Sequence, residues 1–334
     1  MDICIFLHGK NRYLIKANFI NTINVIKGFA KNNLNVYIGH NNFDIEKVKD
    51  IYNLYNFKNI NYIYTNEWVD LYKFINEKKI KIVYARHFDF PIYLLKKGYS
   101  FKILLESHGE NPPTRLLPYK NKINFITISH ILEKRWKFPK SFVFPCAIDY
   151  DFFSTKQKHI NFKFDFNITY SGHVYPYKGI PILIELARKI PEIGVHIIGG
   201  YSQDIKQYKN LPTNLQFYGY KIQKDLLPYL HSSQLLILPY TNKHMQSIST
   251  SPIKLFEYLS TGKPVLSSDI IGIKTWGKDL LTYYKADNID DLKKKVLDIK
   301  NNYDKYNKGE LIESRKEYAK KFSCKNKCKL MLEM

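Results

Sequence analysis

At 334 residues the chain is longer than one hydrophobic core usually organises, and its 45% hydrophobic and 25% charged residues exclude a disordered or fibrous protein. Its 52 Lys and Arg against 30 Asp and Glu give a net charge of +22, shared as +11 by residues 1–150 and +11 by residues 151–334, which excludes a basic tail as the source. Such a balance favours an anionic partner, whether a phosphorylated substrate, an anionic membrane surface or nucleic acid, although AT-biased codon usage would produce part of it.

The N-terminal stretch MDICIFLHGK lacks the basic start and long apolar core of a signal peptide. No run approaches the roughly 20 apolar residues that span a bilayer. The expectation is a cytoplasmic protein attached peripherally to the anionic inner face of the cytoplasmic membrane. Cys4 and Cys146 are isolated, and Cys324 and Cys328 stand four apart with no nearby His, so reduced thiols and no metal site are expected.

In chain order, short apolar runs alternate with amphipathic stretches. Strands are expected at 3–7, 35–39, 81–85, 102–105, 124–128 and 141–144, with helices such as 18–31 and 68–77 between them. After a polar stretch, Ser154–Asn161, a second series follows: strands at 167–171, 195–198, 215–218, 235–238 and 264–267, and helices at 180–189, 224–231 and 252–260. Helix-favouring segments close the chain in a basic stretch, Glu317–Met334. Strand–helix alternation of this length predicts parallel sheets with right-handed crossovers. The expected fold is α/β, with a first Rossmann-like domain over 1–155, a second over 160–315, and a final segment, 316–334, returning to the first. Ligands of such sheets bind beyond the carboxyl ends of the strands, so residues just after strands are the ones to inspect.

Three segments lie there. GHVYPYKG, Gly172–Gly179, leads from a strand into a helix, and Lys178 stands where backbone amides and the helix dipole already favour an anion. It is neither a Walker loop nor a dinucleotide fingerprint, and an ordinary turn with a solvated Lys is the plain alternative. SISTSPIKLFEYLSTGKPVLSSD, Ser247–Asp269, offers hydroxyl caps at Ser249, Thr250 and Ser251 followed by Pro252 in the first helical turn. Glu257 lies inside that helix; it could accept hydrogen bonds from vicinal ribose hydroxyls, or simply be a solvated surface carboxylate. LLESHGENPPTR, Leu104–Arg115, brings Glu106, His108 and Glu110 into a Gly/Pro loop after a strand. His108 could donate to a phosphate or sugar hydroxyl, or be a surface loop residue. Arg86 and His87 also follow a strand, and the run Glu133–Phe142 mixes cations with aromatics.

Taken together and in order, these segments resemble the family 4 retaining glycosyltransferases. GHVYPYKG is similar to that family's Gly–Arg–four residues–Lys–Gly element, and SPIKLFEYLSTGKPVLSSD to its nucleotide-binding helix as worded in many surface-polysaccharide and lipopolysaccharide enzymes. ARH, LESHG, ITISHILEKRW, PCAIDYDFF, LQFYG and LLILPY add to the likeness, which runs from about residue 80 to about residue 325. The resemblance implies the GT-B arrangement of two Rossmann-like domains facing a cleft. It implies transfer of a sugar from a nucleoside-diphosphate sugar to a saccharide or lipid-linked acceptor, with no other cofactor and no metal. Carried over by position, Lys178 is the cation on the donor diphosphate and, with His108 near the transferred sugar, the candidate catalytic pair. Gly172, His173, Ser251, Pro252 and Lys254 lie around the diphosphate, and Glu257 holds the ribose. Asp149 resembles a structural Asp of the linker. Three positions depart from the pattern: His173 replaces the family's Arg, Ser249 replaces its usual carboxylate, and Gly9 stands alone where a glycine-rich loop is usual. Competing readings are another enzyme of the same fold, such as a sugar-nucleotide epimerase, and a basic nucleic-acid-binding protein. The dispersed charge and lack of a binding motif argue against the latter.

Overall fold

The computed structural model describes residues 1–7, 17–41, 44–65, 67–109, 111–243 and 251–334, so Gly9, Glu110, Ser249 and Thr250 lie outside the described residues. The chain divides into two compact units: Met1–Asp149 with Phe322–Met334, and Tyr150–Lys321. The polar stretch 154–161 thus follows the crossing point and belongs to the second unit.

The first unit is built on a seven-stranded sheet: β1 (Asp2–Leu7), β2 (Asn35–His40), β3 (Ile60–Tyr64), β4 (Ile82–Ala85), β5 (Lys102–Glu106), β6 (Asn124–Thr127) and β7 (Ser141–Val143), in the order β3-β2-β1-β4-β5-β6-β7. Every pairing is parallel. Helices cover both faces of such a sheet, which is why central strands read as unbroken apolar runs; Ile3, Cys4 and Ile5 are completely buried.

The C-terminal helix Cys324–Glu333 lies against helix Ala17–Lys31. Gly28 makes this approach possible: a Cβ there would sit 2.3 Å from the Cys324 carbonyl oxygen and 2.5 Å from Cys328 Sγ. Backbone bonds from Ile148 N to Phe322 O (3.2 Å) and from Cys324 N to Ile148 O (2.7 Å) tie the returning segment to the end of the first one. Asp149, next in sequence, is buried between two lysines of helix Ala17–Lys31, with Lys27 Nζ at 2.9 Å and Lys31 Nζ at 2.6 Å. All four cysteines are buried and unbridged.

The second unit carries β8 (Asn167–Ser171), β9 (Gly194–Ile198), β10 (Leu215–Phe217), β11 (Leu235–Leu238), β12 (Val265–Ser268) and β13 (Thr282–Tyr284), in the order β10-β9-β8-β11-β12-β13, again all parallel. The direction of winding reverses between β1 and β4 in the first sheet and between β8 and β11 in the second. Each sheet is therefore doubly wound, and the α/β expectation of two Rossmann-like sheets is met. Two strands escaped the sequence reading, β3 and β13; both are sheet edges. Among the described residues no helix is long and apolar enough to cross a membrane.

Candidate functional site

In a doubly wound sheet the crevice opens where the winding reverses, because the loops leaving the two neighbouring strands turn to opposite faces. In the second unit those strands are β8 and β11. The segment after β8 is Gly172–Gly179; the chain after β11 leads through Pro239 and Tyr240 towards helix Ile253–Ser260. Both segments singled out in the second half of the sequence therefore flank one switch point.

The loop after β8 is shaped by close backbone approaches. Gly172 has φ +151° and donates its N–H to Ile198 O at 2.9 Å, while a Cβ on Gly199 would fall 1.9 Å from Gly172 O. Tyr170 donates to His173 O at 2.7 Å. A single tight turn, Pro176–Lys178, closes on Gly179, whose φ of +81° is in the left-handed region. A Cβ at Gly179 would lie 1.8 Å from Pro239 O, so only glycine lets this turn meet the end of β11.

That turn delivers Lys178 to the ring of Tyr240, with Nζ 4.3 Å from its centroid and 5.4 Å from that of Tyr177. Burial holds the Lys178 ammonium below the ordinary lysine range. Among the described residues no carboxylate pairs with it. It is a partly desolvated cation with no anion of its own, not the solvated Lys of the plain alternative.

Helix Ile253–Ser260 is clamped to the same place. The Tyr258 hydroxyl accepts from Ser171 N at 2.7 Å, which fastens the helix to the last residue of β8. Pro252, expected in the first helical turn, itself occupies the cap position (φ −66°, ψ 123°) and its side chain makes no cap hydrogen bond, while Ser249 and Thr250 lie outside the described residues. Pro252 has no side-chain acceptor of its own to offer the helix's first amides. Ser251 and Pro252 are buried just before it.

Glu257 is completely buried, which removes the reading of a solvated surface carboxylate. Lys254 Nζ comes within 2.6 Å of its Oε2. That contact is a charge pairing at poor angles: among the described residues neither Glu257 oxygen has a properly directed hydrogen bond. A buried carboxylate normally fills its acceptor sites, so this one stands out among the described residues. Its charge, after burial and Tyr258, helps push the Tyr240 hydroxyl above the usual range, so Glu257 and Lys178 both act on the same tyrosine. Lys254 is thereby a partner of Glu257 in this state.

Aromatic residues at the carboxyl ends of β8, β9 and β10 were not anticipated. His173 stacks on Tyr175 and Tyr175 on Tyr177, at 5.2 and 5.5 Å between ring centroids, and Tyr201 stacks on Tyr220 at 6.0 Å. The four tyrosines are exposed. An adjacent hollow of about 440 Å³ is lined by Pro176, Tyr177, Thr241, Glu185 and Asp287, with one cation, Lys243, in its wall. With two carboxylates in its wall it suits the diphosphate less well than the Lys178 side does.

In the first unit, the strand before His108 runs one residue further than expected and ends on Glu106. His108 Nε2 lies 2.8 Å from Glu106 Oε1, and only 18% of the His side chain is exposed. His108 is therefore not a free loop residue. The aromatics of Glu133–Phe142 are also interior: Trp136 stacks on Phe125 at 4.5 Å and donates to Gly109 O at 2.9 Å. The cations of that run, Lys134, Arg135, Lys137 and Lys140, are exposed.

Comparison with known proteins follows this geometry. The whole chain is similar to a glycosyltransferase from Rickettsia africae ESF-5, at 17% identity and TM-score 0.77, covering 99% of this chain and 97% of that one. It is similar to Anabaena Alr3699/HepE, solved in complex with UDP, at 12% identity and TM-score 0.73, covering 99% and 98%. It is also similar to WaaG, a glycosyltransferase involved in lipopolysaccharide biosynthesis, at 11% identity and TM-score 0.61, covering 98% and 99%. At such identities these likenesses establish the fold. No curated protein matches the chain significantly. Residues 151–322, just over half of the chain and almost all of the unit that carries Lys178 and Glu257, match the family described as Glycosyl transferases group 1, and the chain belongs to that family.

Proposed function

We propose that this glycosyltransferase is a retaining enzyme of family 4, moving a sugar from a nucleoside-diphosphate donor to a saccharide or lipid-linked acceptor in cell-surface glycan synthesis. The observation that carries the reading is the pair formed by Lys178 and Glu257, among the described residues a cation without an anion and a buried carboxylate without directed donors, flanking one switch point. A nucleoside diphosphate supplies both missing partners. Its phosphates meet Lys178 and the N-terminal amides of helix Ile253–Ser260, and its ribose hydroxyls donate to Glu257. The exposed tyrosines beyond β9 and β10 offer the base a stacking face. HepE binding UDP and WaaG acting in lipopolysaccharide biosynthesis support the donor and acceptor classes.

In the reaction, the bond from the anomeric carbon to the diphosphate breaks, leaving negative charge on the phosphates and positive charge on the sugar. Fixed positive groups at the leaving phosphates stabilise this separation, and they act without reorganising. The acceptor oxygen forms the new bond on the face the diphosphate leaves, and its proton passes to a leaving phosphate oxygen. Lys178 and the helix terminus supply the positive charge that this step requires. His173 and Ser251 line the phosphate side, and Lys254 can turn from Glu257 towards the phosphates once ribose hydroxyls occupy the carboxylate.

The test is incubation of the protein with a panel of nucleoside-diphosphate sugars and lipid-linked or saccharide acceptors, with NMR of the product's anomeric carbon. The reading expects one donor to give an α-product from an α-donor. An inverted linkage would remove the retaining assignment, and release of an epimerised sugar nucleotide would put an epimerase in its place.

A further inference from the structure

Under the loop that carries His108 lies a buried charge cluster for which the transfer reaction has given no use. Glu106 is completely buried at the end of β5. Lys327, on the returning helix Cys324–Glu333, is 1% exposed and places Nζ 2.7 Å from Glu106 Oε2. The Tyr84 hydroxyl donates to the same oxygen at 2.9 Å. The other oxygen, Oε1, faces His108 Nε2 at 2.8 Å. Burial alone would raise the Glu106 carboxyl, but the Lys327 charge, the bond from His108 and the Arg86 charge outweigh it and hold the carboxyl well below the usual range.

An ionised carboxylate can only accept. The nitrogen that faces Oε1 must therefore carry a proton. Burial and the charge of Arg86 push the His108 imidazole down to about 4 against the opposing pull of Glu106, so a second proton is absent at neutral pH. Nδ1 is left with a lone pair, and no partner reaches it among the described residues. The charged groups facing the ring are Glu106 from β5, Lys327 from the C-terminal helix and Arg86 from the end of β4.

We propose that Glu106 and Lys327 are positioning residues that pin the proton of His108 on Nε2, so that Nδ1 accepts a hydrogen bond from a sugar hydroxyl. This rests on the reading of the chain as a sugar transferase. It reverses the sequence expectation of a donating His: a lone pair meets a hydroxyl, which has a proton to give, and repels an ionised phosphate oxygen, which has none. It also gives the last helix a task beyond packing, since Lys327 neutralises the carboxylate that would otherwise be buried unpaired.

The experiment is imidazole NMR of the full-length protein labelled with ¹⁵N at histidine, with His108 assigned by the signal missing from His108→Gln. The wild type is expected to show a neutral ring protonated on Nε2 at pH 7. Glu106→Gln/Lys327→Met removes both charges together and leaves neither ion unpaired. It is expected to lose the fixed tautomer and to lower kcat about tenfold, the scale of one hydrogen bond, with donor KM held. A wild-type ring that is doubly protonated at pH 7, or protonated on Nδ1, overturns the proposal without any variant. So does a double variant that keeps both tautomer and kcat. Should no donor be turned over while the Nε2–H ring is observed, the transferase reading fails and the positioning of His108 stands.

Discussion

On the proposed assignment Lys178 and Glu257 answer to different parts of the donor, and their variants should separate in kinetics. Lys178 faces charge that grows as the diphosphate leaves, so Lys178→Ala is expected to lower kcat by about 10²–10³-fold, as loss of a positioned oxyanion donor does. Glu257 meets the ribose equally in ground and transition states, so Glu257→Gln should raise the donor KM and leave kcat near wild type. Steady-state kinetics with the turned-over donor check both; a Lys178→Ala effect confined to KM would move Lys178 away from the leaving group. Histidines report on stability. His108 and His196 are both held down to about 4 by burial, the latter between Asn167 and Tyr218. A folded-state value below the unfolded one means that the unfolded chain binds more protons, so stability falls as pH drops from about 6.5 towards 4. By pH 5 the loss is about 2 kcal/mol per histidine. The depressed carboxylates act lower: Glu106 and Asp149 stabilise above their unfolded values near 4 and lose that only as pH falls further. Urea unfolding at pH 7 and pH 5 should show the lower midpoint at pH 5, and equal midpoints would contradict the buried neutral rings.

At the scale of elements, Gly179 is the joint on which the site depends. Gly179→Ala forces a side chain into the left-handed region, at a cost of about 1–2 kcal/mol, and against Pro239 O as well. Movement of that turn carries Lys178 off Tyr240, so the variant should lose stability and donor binding together, measured by thermal melting and by nucleotide titration. Retained nucleotide affinity would show that the turn does not set the site. Sequence patterns revealed the central strands because a parallel strand buried on both faces is an unbroken apolar run, as in ICIFL of β1 or LLIL of β11. β3, INYIY, and β13, TYY, were illegible for the complementary reason: as edges they are only part-buried and carry polar residues. Lys178 and Glu257 were legible because a strand–loop–helix spacing marks them. The Glu106–Lys327 pair was not: 221 positions separate the two in the sequence, and nothing local in NKCKLM shows that its Lys is interior. The tyrosines beyond β9 and β10 were likewise invisible, since a Tyr in a loop carries no sign of what it stacks against.

For the molecule as a whole, the charge of +22 remains the feature that neither core nor site consumes. Exposed Lys96 and Lys97 beside exposed Phe101, and exposed Lys134, Arg135, Lys137 and Lys140 on the other run, concentrate cations on the surface of the first unit. Each contributes about 1 kcal/mol at an anionic bilayer and is screened by salt. With Trp136 and Phe138 in the core, the membrane attachment proposed for the second run would be electrostatic and without their insertion. Co-sedimentation with anionic vesicles is expected at low salt and lost at high salt; binding indifferent to salt would contradict it. The central claim, that the second unit holds a nucleoside-diphosphate sugar through Lys178 and Glu257, is met most directly by measuring nucleoside diphosphate released from a donor panel by the wild type and by Lys178→Ala. One donor turned over by the wild type, with kcat about 10²–10³-fold lower in the variant at similar KM, is the expected result. Equal release by both proteins would contradict it.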